Sequence, residues 1–75
     1  MPATYPTPIA ALVEAGVTID ERKGRNGRRI FIASDPAREV HPVQVLVLDL
    51  DDAEPWFAAS GPTVESVEQY IPGLK

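Results

Sequence analysis

Two clusters of charge hold the residue types that could do chemistry. From Asp49 to Glu54 the chain reads DLDDAE, four carboxylates in six residues, and five of the seven basic side chains crowd together as Arg22, Lys23, Arg25, Arg28 and Arg29. Clustered carboxylates can hold Mg²⁺ or Ca²⁺, and Asp49 and Asp51 share a face if the preceding strand continues. The spacing is not that of a calcium loop, which needs further oxygen ligands and a glycine at a defined position, so a solvated strand end is expected over a metal site. Clustered guanidiniums can lie against phosphates, with Gly24 and Gly27 letting the backbone approach closely. The competing reading is structural, because solvated hairpin ends are often basic and Asp20 and Glu21 sit near enough to offset part of the field.

A third use of charge is outward and acidic. Asp49, Asp51, Asp52, Glu54, Glu65 and Glu68 could mimic a phosphate backbone and dock into a partner's basic groove, with Trp56 or Phe57 as the anchor. Charge is unevenly distributed in support of this. Residues 1–48 hold six basic against five acidic side chains, whereas residues 49–75 hold six acidic against one basic, within a net charge of -4. A polyanion is therefore repelled at long range, which weighs against general nucleic-acid binding and leaves the hairpin as the local alternative.

Catalytic ingredients are present without an arrangement. Ser34, Ser60 and Ser66 lie in no Gly-x-Ser-x-Gly elbow, and His41, between Val40 and Pro42, reads as an exposed turn residue rather than a general base. With no cysteine and one histidine, neither a disulfide, a thiolate zinc cage nor a multi-histidine site can form. The expectation is a non-enzyme without cofactor. Seventy-five residues make one small domain, which buries only about 60–65% of its unfolded surface, so few core positions can be diverted to a site.

The elements that must position these residues are legible from periodicity. Thr7-Pro8 reads as a capped helix start and Gly16 as its stop, with Ile9, Leu12 and Val13 forming one apolar stripe. Alternation over 17–22 and 29–33 predicts two strands joined by Gly24-Arg-Asn-Gly27. A four-residue loop puts Ile19 opposite Ile32, and a two-residue Asn-Gly turn keeps Ile19, Ile30 and Ile32 on the same face as well. Ser34-Asp35-Pro36 suggests a capped turn running to Glu39. The run VQVLVL over 43–48 is apolar on both sides and belongs mid-sheet. A short extended piece over 56–59 follows, and Thr63 opens a second helix whose Val64, Val67 and Ile71 share a face until Pro72.

The expected fold is therefore α+β, one antiparallel sheet of three or four strands with two short helices packed on one face, in the order α-β-β-β-(β)-α. Residues 1–6 are read as a flexible segment and residues 7–75 as one domain. If both helices cover the Ile19, Ile30 and Ile32 face, then Phe31 and one side of 43–48 must meet solvent, the folded-over 56–57 pair and proline-rich start, or another chain, either a second copy in a homodimer or a partner surface. The first residues lack the basic, apolar beginning of a secretory signal and no run approaches a membrane span, which predicts a cytoplasmic protein with no membrane contact.

Over 9–33, LVEAGVTI followed by Arg28, Arg29 and Ile30-Phe31-Ile32 resembles the recognition-helix end and wing of winged-helix regulators. The residues ahead of Pro8 offer no room for the two earlier helices of that fold. In size, acidity and element pattern the chain more closely resembles small inhibitors of phages and mobile elements of the anti-CRISPR type, with DLDDAE as the kind of feature they use. That resemblance implies an inhibitor of a nucleic-acid-handling complex. It carries no residue role.

Overall fold

The computed structural model describes residues 5–36 and 42–75. Strands β1 (Thr18–Lys23), β2 (Arg29–Ser34), β3 (Val43–Leu48) and β4 (Trp56–Gly61) form one open antiparallel sheet in sequence order. Helix α1 (Thr7–Glu14) precedes it and α2 (Val64–Glu68) follows, so the chain is α+β as its periodicities predict. Among the described residues no helix is long and apolar enough to cross a membrane. Ser34, where a capped turn is expected to begin, is the last residue of β2, and His41 and residues 37–39 of that expected turn lie outside the described residues.

Helix α1 starts one residue earlier than Thr7-Pro8 suggests. The Ala10 amide donates to the Pro6 carbonyl at 2.9 Å, which makes Pro6 the cap and Thr7 the first helical residue, and no side chain caps the end. Its C-terminus closes as expected at Gly16. There φ is +95°, the Val17 amide donates to Leu12 O at 3.0 Å and the Gly16 amide to Val13 O at 3.1 Å, the paired bonds of a Schellman motif.

The hairpin decides which side of β1 faces which core. Asn26 at φ 55°, ψ 35° and Gly27 at φ 81° have the doubly positive φ of a type I′ turn, closed by the Arg28 amide donating to Arg25 O at 2.9 Å. The Gly24 amide, rather than that of Arg25, then donates to Arg28 O at 2.8 Å. Two residues therefore oppose one, which is a bulge. This single extra residue sets Ile19 against Ala33 and Asp20 against Ile32. Both registers expected from the sequence kept Ile19 with Ile30 and Ile32; the bulge moves it to the opposite face, beside Phe31.

The two faces carry separate apolar groups. Ile30, Ile32, Val43, Val45 and Val47 form one cluster with Val67 and Ile71 from the α2 segment, edged by Val64, Ala59 and Leu74. Phe31, Ala33 and Ile9 are also buried but stand outside that cluster, and Tyr5 meets Phe31 edge-on with ring centroids 6.1 Å apart. Helix α1 thus covers the Phe31 side and α2 the Ile30 side. The expectation that both helices share one face is corrected here, because the bulge gives the second face an apolar strip for Ile9 to cover. Phe57 also lies on the Phe31 side, paired with Leu46, but remains 57% exposed instead of folding over it.

Helix α2 is shorter than its apolar spacing suggests. Thr63 and Ser66 form a reciprocal capping box, and regular helix ends at Glu68. Ile71–Gly73 form a separate 3₁₀ turn, since Pro72 disfavours helix at the residue before it. Val67 and Ile71 still bury on the same side.

Candidate functional site

A four-strand meander puts its first and third connections at the same end of the sheet. The β1–β2 hairpin and the 49–55 connection are therefore neighbours, and the two charge clusters that read as rivals in the sequence meet there. Strand β3 stops at Leu48, and the Asp52 amide donates to Asp49 O at 3.1 Å. Asp49 and Asp51 are accordingly in a turn and not successive positions on one strand face.

Asp49 is held from two sides. Arg28 Nε donates to Oδ1 at 2.6 Å and Trp56 Nε1 donates to Oδ2 at 2.9 Å. Arg28 also lies 6.0 Å from the Trp56 ring centroid, which closes a triangle of ion pair, hydrogen bond and cation–π contact. The Trp56 indole, followed by Arg28, holds the Asp49 carboxyl below its ordinary range despite the opposing effect of desolvation. Arg28 Nη1 further donates to Leu74 O at 3.2 Å, tying the C-terminal turn to the same point.

Two more hairpin arginines are engaged within the chain. Arg22 Nη2 donates to Glu68 at 2.6 Å and to Asp20 at 3.3 Å, and the Glu68 contact is the main reason its pKa rises. Arg29 grips Glu21 with two bonds, Nη2 at 2.7 Å and Nε at 3.2 Å, and stands 5.1 Å from the Phe31 ring centroid. Among the described residues no carboxylate is within ion-pair distance of Lys23 or Arg25. The same holds in reverse for Asp51, Asp52, Glu54 and Glu65, which have no cation at that distance.

Between the two connections lies an open groove of about 560 Å³, lined by Arg25, Arg28, Asp49, Asp51, Asp52 and Lys75 among others. Leu50, 72% exposed, forms part of its wall above Gly27. No family model, curated protein or solved structure matches this chain. Among the described residues no group of three or more histidines, aspartates or glutamates is placed to hold a metal ion.

The structure thus gathers Asp49, Asp51, Asp52 and Trp56 at one end and separates Glu68, which is drawn to Arg22 on β1. Glu65 is exposed in the first turn of α2. No motif or charge cluster in the sequence points to Lys75 or Leu50. Parity could have found Leu50, since alternate turns of a meander must share an end; nothing local marks Lys75, which arrives through the packing of Ile71 and Leu74.

Proposed function

We propose that this protein is a non-enzymatic binding module that occupies a basic groove on a protein partner through Asp51, Asp52, Glu54 and Trp56. Asp49 acts beneath them as the support. The observation that carries this reading is the Arg28–Asp49–Trp56 triangle: it holds a 39% exposed indole in place next to acids that have no cation of the described chain at ion-pair distance. A fixed aromatic beside uncompensated charge is the composition of an interface anchor, because little side-chain freedom remains to be lost on binding. Together with the acidity of residues 49–75, this supports the finer proposal of a cytoplasmic inhibitor of a nucleic-acid-handling complex, as the resemblance to anti-CRISPR-type proteins implies.

A second reading is favoured by one observation. Lys75 lines the same groove as Arg25, so the surviving cations Lys23, Arg25 and Lys75 could contact a phosphate chain. It is the weaker reading because Arg22, Arg28 and Arg29 are already paired with carboxylates.

Affinity capture from the native cell with quantitative mass spectrometry separates the two. The acidic reading expects one partner enriched by the wild type, lost with Asp51→Lys, Asp52→Lys and Glu54→Lys combined, and retained with Lys23→Glu plus Arg25→Glu. The opposite pattern, together with mobility shifts of DNA or RNA that weaken steeply with salt, transfers the function to the hairpin.

A further inference from the structure

We propose that Asn26 is a self-modification site, closing with the Gly27 backbone nitrogen to a succinimide that opens to aspartate or isoaspartate, and that the Arg28–Asp49 pair gates this reaction. Asn26 is the only asparagine of the chain, and the glycine after it leaves the attacking nitrogen unshielded by any Cβ. Both residues are exposed at the hairpin tip. Among the described residues nothing hydrogen-bonds the Asn26 side chain. Arg25 lines the same groove, with no described carboxylate at ion-pair distance. Its charge favours both loss of the Gly27 amide proton and the oxyanion that develops on the Asn26 side chain.

The chemistry needs only water. The Gly27 nitrogen loses its proton to solvent and bonds to Asn26 Cγ, the bond from Cγ to the side-chain nitrogen breaks, and ammonia leaves. Water then opens the imide at either carbonyl. Opening at the side-chain carbonyl gives aspartate at position 26, whereas opening at the main-chain carbonyl routes the backbone through Cβ and lengthens it by one carbon. No electrons are exchanged with a second reactant.

The closed tip resists this step. At ψ 35° the Gly27 nitrogen stands nearly anti to Asn26 Cβ across the Cα–C bond, out of reach of Cγ. Ring closure requires that bond to rotate, which a turn closed by the Arg28 amide on Arg25 O does not permit. Arg28 is itself held by Asp49 at 2.6 Å and by Leu74 O at 3.2 Å. Reaction therefore proceeds from a locally opened tip, and its rate reads how often Arg28 lets go. The product loosens the same point. A lengthened backbone no longer fits a two-residue type I′ turn, which draws Arg28 from Asp49, and the new carboxylate joins a groove already lined by Asp51 and Asp52. None of this requires the partner binding proposed above.

Peptide mapping of the whole chain, held at mildly alkaline pH in isotopically labelled water and sampled over time, tests the proposal. The folded wild type should accumulate both aspartate and isoaspartate at position 26, release ammonia and take up one labelled oxygen per event. Conversion should be fastest in urea. Asp49→Asn should convert about fivefold faster than the wild type while folded, the weight of a partly exposed ion pair. If that variant does not fold, Arg28→Lys, which keeps the charge but loses the Nε contact, should show the same acceleration. Thr63→Ala, which weakens the distant α2 cap, should leave the rate unchanged and so separates tip opening from global unfolding. In the purified isoaspartyl fraction the Trp56 indole resonance should shift as Asp49 is released. A folded chain that keeps Asn26 intact while the unfolded chain converts would overturn the site. Equal rates with and without the Arg28–Asp49 contact, or acceleration by Thr63→Ala, would overturn the gate, and an unmoved Trp56 resonance would overturn the consequence.

Discussion

Arg28 Nε lies 2.6 Å from Asp49 Oδ1, and this contact fastens the tip of the first hairpin to the end of the third strand. The same carboxylate accepts from the Trp56 indole, so one side chain fixes the relation between a turn, a strand end and an edge aromatic. The acidic and basic clusters are in this sense one structure.

Asp49 gives the fold a defined pH response. Its carboxyl pKa is lowered in the folded state, first by Trp56 and then by Arg28, so the stabilisation is fully present above the unfolded pKa and is lost as pH falls through the folded one. The urea midpoint of the wild type should fall on acidification below the ordinary carboxylate range, about pH 4. Asp49→Asn should lower the midpoint at neutral pH and flatten that acid limb. An unchanged acid limb in the variant would show that other carboxylates set it.

The separation of the two apolar groups predicts additivity. Ile9 and Ile71 are both buried, on opposite faces of the sheet. Replacing either with alanine should cost about 2–5 kcal/mol in chemical denaturation. The doubly substituted chain, measured in a stabilising osmolyte where needed, should show the sum to within about 0.5 kcal/mol. Strong coupling would mean that the helices share a core.

The bulge makes an unusual deletion tolerable. Removing Gly24 leaves the Asn26-Gly27 turn and brings Arg25 opposite Arg28 without altering the pairing of Lys23 with Arg29. The shortened chain should keep the Glu21–Phe31 cross-strand contact in NMR spectra. Loss of that contact would show that the register is held elsewhere.

The second helix depends on its cap. The Ser66 amide donates to the Thr63 hydroxyl at 3.2 Å, and Val64–Glu68 is too short to persist without tertiary support. Thr63→Ala should cost about 1 kcal/mol, read from the denaturation midpoint. It should also weaken the Arg22–Glu68 pair, visible as a shift in the Arg22 side-chain resonances.

Element types were legible because each rests on local physics. Alternating apolar residues make β1 and β2, the run at 43–48 makes one of the two interior strands, Gly16 terminates α1 through its positive φ, and Thr63 opens α2. The register of the first hairpin was not legible: Asn26-Gly27 announces a tight turn, but whether Gly24 adds a bulge depends on which face of β1 finds an apolar partner. A shift of one residue reverses every side chain of a strand, so that small choice sent Ile19 to Phe31 and put α1 and α2 on opposite faces. The chain by itself specified two charge clusters and their order. Only the meander decided that hairpin and acidic turn share an end, where attraction between Arg28 and Asp49 consumes part of each cluster, because ion pairs form by distance in space and not in sequence.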